Sequence, residues 1–133
     1  MRLIDALMEP TALYVKPVLS LLASHGEAIH GMAHVTGGGL TENLPRVLPE
    51  GVGAEVDLDS WQAPSVFRWL ADAGDVPERE MLKTFNCGVG MILVVAPDRA
   101  KALTELLRAE GETVRTIGEV GGGHGVGYTG TLW

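Results

Sequence analysis

Apolar residues along the chain recur with two periods, and the switches between them mark the elements. Leu3, Ile4, Leu7 and Met8 make one or two amphipathic turns ahead of Glu9-Pro10-Thr11. Pro17 favours a first helical turn and disfavours helix at Lys16. Val18, Leu19, Leu21 and Leu22 then give a broad apolar face until Gly26 stops the helix. From Ile29 to Thr36 the period becomes two. Ile29, Gly31, Ala33 and Val35 share one face of a strand, and His30, Met32, His34 and Thr36 the other. Gly37-Gly38-Gly39 breaks the strand, and Leu40 to Arg46 reads as a short helix capped by Gly39 or Thr41, with Glu42 in its first turn. After a turn at Pro49-Glu50-Gly51, Ala54-Glu55-Val56-Asp57-Leu58 alternates as a strand with one wet face. Pro64 opens a helix with Val66, Phe67, Trp69, Leu70 and Ala73 inward, closed by Gly74, and a shorter helix follows from about Pro77 to Phe85. Val89 to Val95 is apolar except for Gly90, which predicts a central strand covered on both sides. Asp98 caps the longest helix, Arg99 to Glu110, with Leu103, Leu106 and Leu107 inward and Gly111 closing it. Thr113 to Glu119 is the last predicted strand, and the glycine-rich tail from Gly121 is expected to be loose.

The resulting order, α-β-α-β-α-α-β-α-β, predicts an α+β domain with a four-stranded mixed sheet and ferredoxin-like character. With 133 residues, 46% of them hydrophobic and 20% charged, the chain is long and apolar enough for one domain with a real core. The formal net charge of −7 argues against nucleic acid as the main partner but leaves room for a small phosphorylated ligand. The single cysteine, Cys87, excludes an internal disulfide. No apolar run reaches membrane-spanning length, and the N-terminus lacks a secretory pattern, so the expected location is cytoplasmic.

Candidate chemistry concentrates where the first strand ends. Consecutive glycines let a backbone take positive φ and approach a bound group, and free amides at a helix start attract anions. Thr36, Gly37, Gly38 and Gly39, ringed by His34, Asn43 and Arg46, therefore make a candidate phosphate cradle. The plain alternative is a tight strand-to-helix connection. Neither standard glycine motif fits: the lysine of a P-loop is absent, and the glycines are contiguous rather than spaced. His30 and His34 share a strand face but stand roughly 13 Å apart, too far to ligate one ion. Asp57 and Asp59 fit a solvated face, and Cys87 a small core residue. Gly125 to Gly130 matches G-x-G-x-x-G by letter, but too little chain follows for the helix that motif needs. Asn86, between a helix and the central strand, either projects into a cleft or serves as a turn residue.

Several strings together carry a family likeness. They are Glu9-Pro10-Thr11, Tyr14-Val15-Lys16, the run from Gly31 through His34-Val35-Thr36-Gly37-Gly38-Gly39-Leu40 and Glu42-Asn43 to Pro45-Arg46-Val47-Leu48-Pro49, and Thr84-Phe85-Asn86 with Gly88 and Gly90-Met91. From about Leu3 to Gly118 the chain resembles the C-terminal domain of the aminoimidazole ribonucleotide synthetases, the phosphoribosylformylglycinamidine cyclo-ligases of purine biosynthesis. The resemblance implies α/β/α layering with partly ferredoxin-like topology. It also implies an ATP-dependent ligase activity: phosphorylation of the formyl oxygen of formylglycinamidine ribonucleotide, attack by a substrate nitrogen to close the imidazole ring, and release of phosphate.

By the same resemblance Thr36, Gly37, Gly38 and Gly39 face an interdomain cleft as phosphate donors. His34, Asn43 and Arg46 line that cleft, and His34 transfers a proton or hydrogen-bonds there. No metal ligand is assigned within the chain. The family's ATP and magnesium are held mainly by an N-terminal domain, which also forms a homodimer. That domain is expected to be missing here, with residues 1–16 the end of the interdomain connection, 17–120 the domain proper, 121–133 the tail, and Met1 an internal residue or an introduced start. The isolated chain is then expected to be inactive. Two other readings stand beside this one: a stand-alone small-anion-binding module, and a superfamily relative acting on another substrate. Neither a nucleic acid nor a membrane partner is expected.

Overall fold

The computed structural model describes residues 2–133. Helix α1 (Leu3–Leu7) is short and its apolar side chains are exposed. Helix α2 (Val15–His25) accepts Pro17 in its first turn, where no amide is needed. Strand β1 (Ile29–His34) keeps the alternation of its sequence: Ala33 and the following Val35 are buried, while His30, Met32 and His34 are exposed. Helix α3 (Gly39–Asn43) and a turn of 3-10 helix at Pro45–Val47 follow. Strand β2 (Val52–Asp57), helix α4 (Ser65–Gly74) and helix α5 (Glu78–Thr84) come next. Strand β3 (Met91–Val95), helix α6 (Ala100–Ala109) and strands β4 (Gly118–Gly122) and β5 (Val126–Thr129) complete the chain.

The fold is α+β, as the element order predicts, but its strands form two small sheets rather than one four-stranded sheet. β1 and β3 pair antiparallel, with Ala33 opposite Ile92 and His34 opposite Met91. The second sheet has the order β4-β2-β5, β4 antiparallel and β5 parallel to β2. β3 makes apolar contacts on both faces, Ile92 and Val94 with the main core and Leu93 and Val95 with Leu21 of α2 and Leu103 of α6, but only Ile92 is buried, so the expected full cover is incomplete. It is also a sheet edge, paired only with β1.

Other expectations need correction. The strand predicted from Thr113 to Glu119 is β4 and starts only at Gly118, and the tail is not loose. It supplies β5 and buries Leu132, whose amide donates to Glu78 Oε2 at 2.9 Å. Asp98 makes no side-chain cap; it lies in a 3-10 turn, Pro97–Arg99, that leads into α6.

The main core gathers Leu40 of α3 and Leu44 just after it, Val56 of β2, Ala71 of α4 and Met81 and Leu82 of α5. Fully burying a side chain such as Leu40 or Met81 contributes about 1.5–3 kcal/mol. This packing pins α3 against α5 and so fixes the chain segment between β1 and α3. Cys87 sits in the same core, fully buried, with φ +51° and its carbonyl accepting from Trp61 Nε1 at 3.0 Å. Burial, with Glu78 nearby, pushes its thiol up to about 12. It is a core residue and a poor nucleophile.

Candidate anion site

The three glycines after β1 have three different environments. Gly37 is exposed, and a Cβ there would meet nothing within 4 Å. Gly38 has φ +100° and stands before α3, with Glu42 folded against it. Gly39 is buried with φ +61°, and a Cβ there would overlap the carbonyl of Leu82 at the end of α5. The Gly39 amide donates to the Thr36 carbonyl at 3.0 Å and is internal. The Gly37 and Gly38 amides have no acceptor among the described residues. Gly37 and Gly38 therefore offer free donors, and Gly39 lets α3 sit close to α5.

Asn43 holds this corner from within. It is buried, and its Nδ2 donates to the carbonyls of Gly39 at 2.8 Å, Thr36 at 3.1 Å and Gly37 at 3.2 Å. Its amide is thus directed at the loop rather than at the solvent-facing cleft expected for it. Its Oδ1 accepts from Arg46 Nη1 at 3.4 Å, a long contact. Arg46 is exposed and makes no ion pair among the described residues. Thr36 is exposed beside it. Asn86 follows Phe85, whose carbonyl lies against Gly39, and stands in the turn before β3, where its Oδ1 accepts from Gly88 N at 2.9 Å. This is the turn role its residue type suggests.

His34 is exposed at the end of β1, its ring meeting Tyr14 with centroids 6.1 Å apart and planes at 70°. Two further residues, neither assigned a site role from the sequence, bear on the corner. Tyr14 is one. The other is Tyr128 of β5, whose hydroxyl lies 2.8 Å from Thr41 Oγ1, while Thr41 also donates to the Leu82 carbonyl at 3.2 Å. The tail is thereby tied to α3 immediately behind the glycines. Burial holds the Tyr128 phenol above its usual range despite the Thr41 hydrogen bond, so the tie stays neutral. A groove of about 1050 Å³ runs between β3 and residues 111–120, with Tyr14 and Gly90 in its wall. None of the eight predicted site residues lines it, and the glycine corner is open surface.

Two free amides, a hydroxyl and an unpaired guanidinium around an exposed corner offer donors to phosphoryl oxygens, opposed by the Glu42 carboxylate folded against Gly38. This fold carries a recognisable family pattern. The AIR synthase related protein, C-terminal domain, family model matches residues 2–130, and the chain belongs to that family. It is similar to a phosphoribosylformylglycinamidine cyclo-ligase from Xanthomonas oryzae pv. oryzae, with 56% identity over 124 residues, 93% of this chain and 36% of the relative. The chain therefore spans about a third of the length of that curated relative. Among solved structures it is similar to a thiamine-monophosphate kinase from Stenotrophomonas maltophilia, with a TM-score of 0.59 and 23% identity over 92% of this chain and 42% of the other. That likeness extends to the fold alone. No helix among the described residues is long and apolar enough to cross a membrane.

Proposed function

We propose that the chain is the C-terminal domain of an ATP-dependent cyclo-ligase. The full protein closes the imidazole ring of aminoimidazole ribonucleotide from formylglycinamidine ribonucleotide, in the cytoplasm, as a step of purine synthesis. The observation that carries this reading is the 56% identity, across 93% of the chain, to a relative with that name. Bound ATP would supply the phosphoryl group that activates the substrate's formyl oxygen. The chain's own contribution is to hold charge: Gly37 and Gly38 amides, the Thr36 hydroxyl and Arg46 receive phosphoryl oxygens as negative charge moves. His34, beside them, hydrogen-bonds to the substrate or carries a proton. Gly39 and Asn43 keep the donors in place, and Asn86 shapes the turn behind them.

These groups do not suit magnesium, which needs oxygen ligands such as carboxylates. No cluster of three or more metal-ligating side chains occurs among the described residues. In this reading the ion and most of the nucleotide are held by an N-terminal domain of the same enzyme, which also carries the homodimer contact.

The isolated chain should neither bind MgATP tightly nor form product. A chimera of the Xanthomonas oryzae relative, with this chain in place of its aligned segment, should close the ring. Product from the isolated chain would overturn the division of labour, and a folded but inactive chimera would overturn the activity. Within an active chimera, Arg46→Ala should weaken phosphate-dependent binding by roughly 1.5–3 kcal/mol, the worth of a hydrogen bond to a charged group. Unchanged KM and kcat would remove Arg46 from the site.

A further inference from the structure

We infer that Tyr14 is a positioning residue that fixes the His34 imidazole beside the glycine corner, and that Gly90 is the recess that admits it. The inference rests on reading the corner as an anion site. Tyr14 stands immediately before α2, where its neighbours Leu13 and Val15 are 86% and 65% exposed. Between these two apolar residues left in water, the chain turns the tyrosine inward, half-buried against His34. A 6.1 Å centroid separation with near-perpendicular planes is the edge-to-face geometry aromatic rings favour.

Room for that ring is provided at one point: a Cβ on Gly90 would overlap the Tyr14 hydroxyl. The Gly90 carbonyl also accepts from Val35 N at 2.9 Å, so the residue that makes way for Tyr14 also anchors the chain entering the corner. Three segments distant in sequence therefore converge on His34: the start of α2, the end of β1 and the turn before β3. Burial, with Glu112 nearby, raises the Tyr14 phenol above its usual range. The ring that His34 meets is neutral, and the contact is aromatic packing rather than an ion pair. An exposed imidazole otherwise samples several rotamers, which dilutes any hydrogen bond it offers a ligand. Tyr14 removes that freedom.

The test compares Tyr14→Leu and Tyr14→Phe with the wild-type chain by NMR, with inorganic phosphate as the probe. In the wild type the two rings should show proton–proton cross-relaxation; its absence overturns the inference whether or not any variant folds. In Tyr14→Leu the His34 ring resonances should lose their ring-current displacement. Phosphate affinity, followed at the Gly37 and Gly38 amides, should fall by about threefold to tenfold, the range of an aromatic pair's coupling. Tyr14→Phe, which keeps the ring, should restore both. A folded Tyr14→Leu chain with wild-type His34 resonances would overturn the inference. If phosphate shifts neither glycine amide in the wild type, the anion site falls instead, and the His34 resonances alone judge the Tyr14 contact.

Discussion

Gly39→Ala is expected to destabilise the chain by about 3 kcal/mol, while Gly37→Ala, two residues away, should be neutral or slightly stabilising. At Gly39 the backbone is left-handed, φ +61°, which costs a residue with a Cβ about 1–2 kcal/mol. The added methyl would also overlap the Leu82 carbonyl. That obstacle is backbone at the end of a packed helix and cannot rotate away, so α3 must lift from α5 at a further cost of about 1–3 kcal/mol. Gly37 has neither problem, since its Cβ position is open and its φ is not left-handed. There, alanine reduces the freedom of the unfolded chain, a gain of up to about 1 kcal/mol where the backbone is compatible. Urea unfolding with an unchanged slope separates the two cases. The phosphate response should invert the order of damage: Gly37→Ala leaves the fold intact yet crowds the exposed amides, and should weaken phosphate binding with no loss of stability. Equal stability losses at both positions would refute the division of roles among the glycines.

How far the sequence reveals this structure depends on whether the deciding interaction is local. The two-residue alternation from Ile29 to Val35 is carried by the side chains themselves, and β1 follows it. So does the all-apolar run of β3, whose alternate residues enter two different cores. Sheet membership is a different matter. β2 takes β4 on one edge and β5 on the other, partners more than 60 residues away, and its own alternation is equally compatible with either sheet. β5 is not legible in the sequence because half of its neighbourhood is glycine, which carries no periodicity, so that Val126 and Tyr128 alone mark its inner face. The glycine corner was legible as a place and as a family motif, but not as three separate environments. Which glycine lies against α5 is decided by helix packing, which no local pattern records. The same holds for Asn43 and Asn86. Residue type places a polar group near the corner or the turn, while the direction of its amide depends on which carbonyls the fold leaves without donors.

Asn43 provides the second large effect. Asn43→Ala should cost roughly 2–3 kcal/mol, because the buried Gly39 carbonyl loses its 2.8 Å donor and two loop carbonyls lose theirs. Asn43→Asp is nearly isosteric and should be worse at neutral pH. It places a carboxylate oxygen where three carbonyl oxygens expect an N–H, and it buries a charge. Arg46, 3.4 Å from the other oxygen, is exposed and screened and compensates only in part. The carbonyls and the burial favour the protonated form, so the introduced carboxyl would titrate above the ordinary aspartate value of about 3.9 in the folded state. The unfolded chain then binds fewer protons than the folded one across that window, and stability falls as pH rises through it. Relative to wild type, Asn43→Asp should be least damaged below about pH 4, lose stability through the weakly acidic range and level off beyond the raised value. Denaturant midpoints at pH 3.5 and pH 7 would measure this, with Asn43→Ala as a control whose deficit stays constant. A deficit for Asn43→Asp that stays flat with pH, or shrinks as pH rises, would mean that the residue faces solvent or Arg46 instead of the loop carbonyls, and Asn43 would return to the ligand side of the corner.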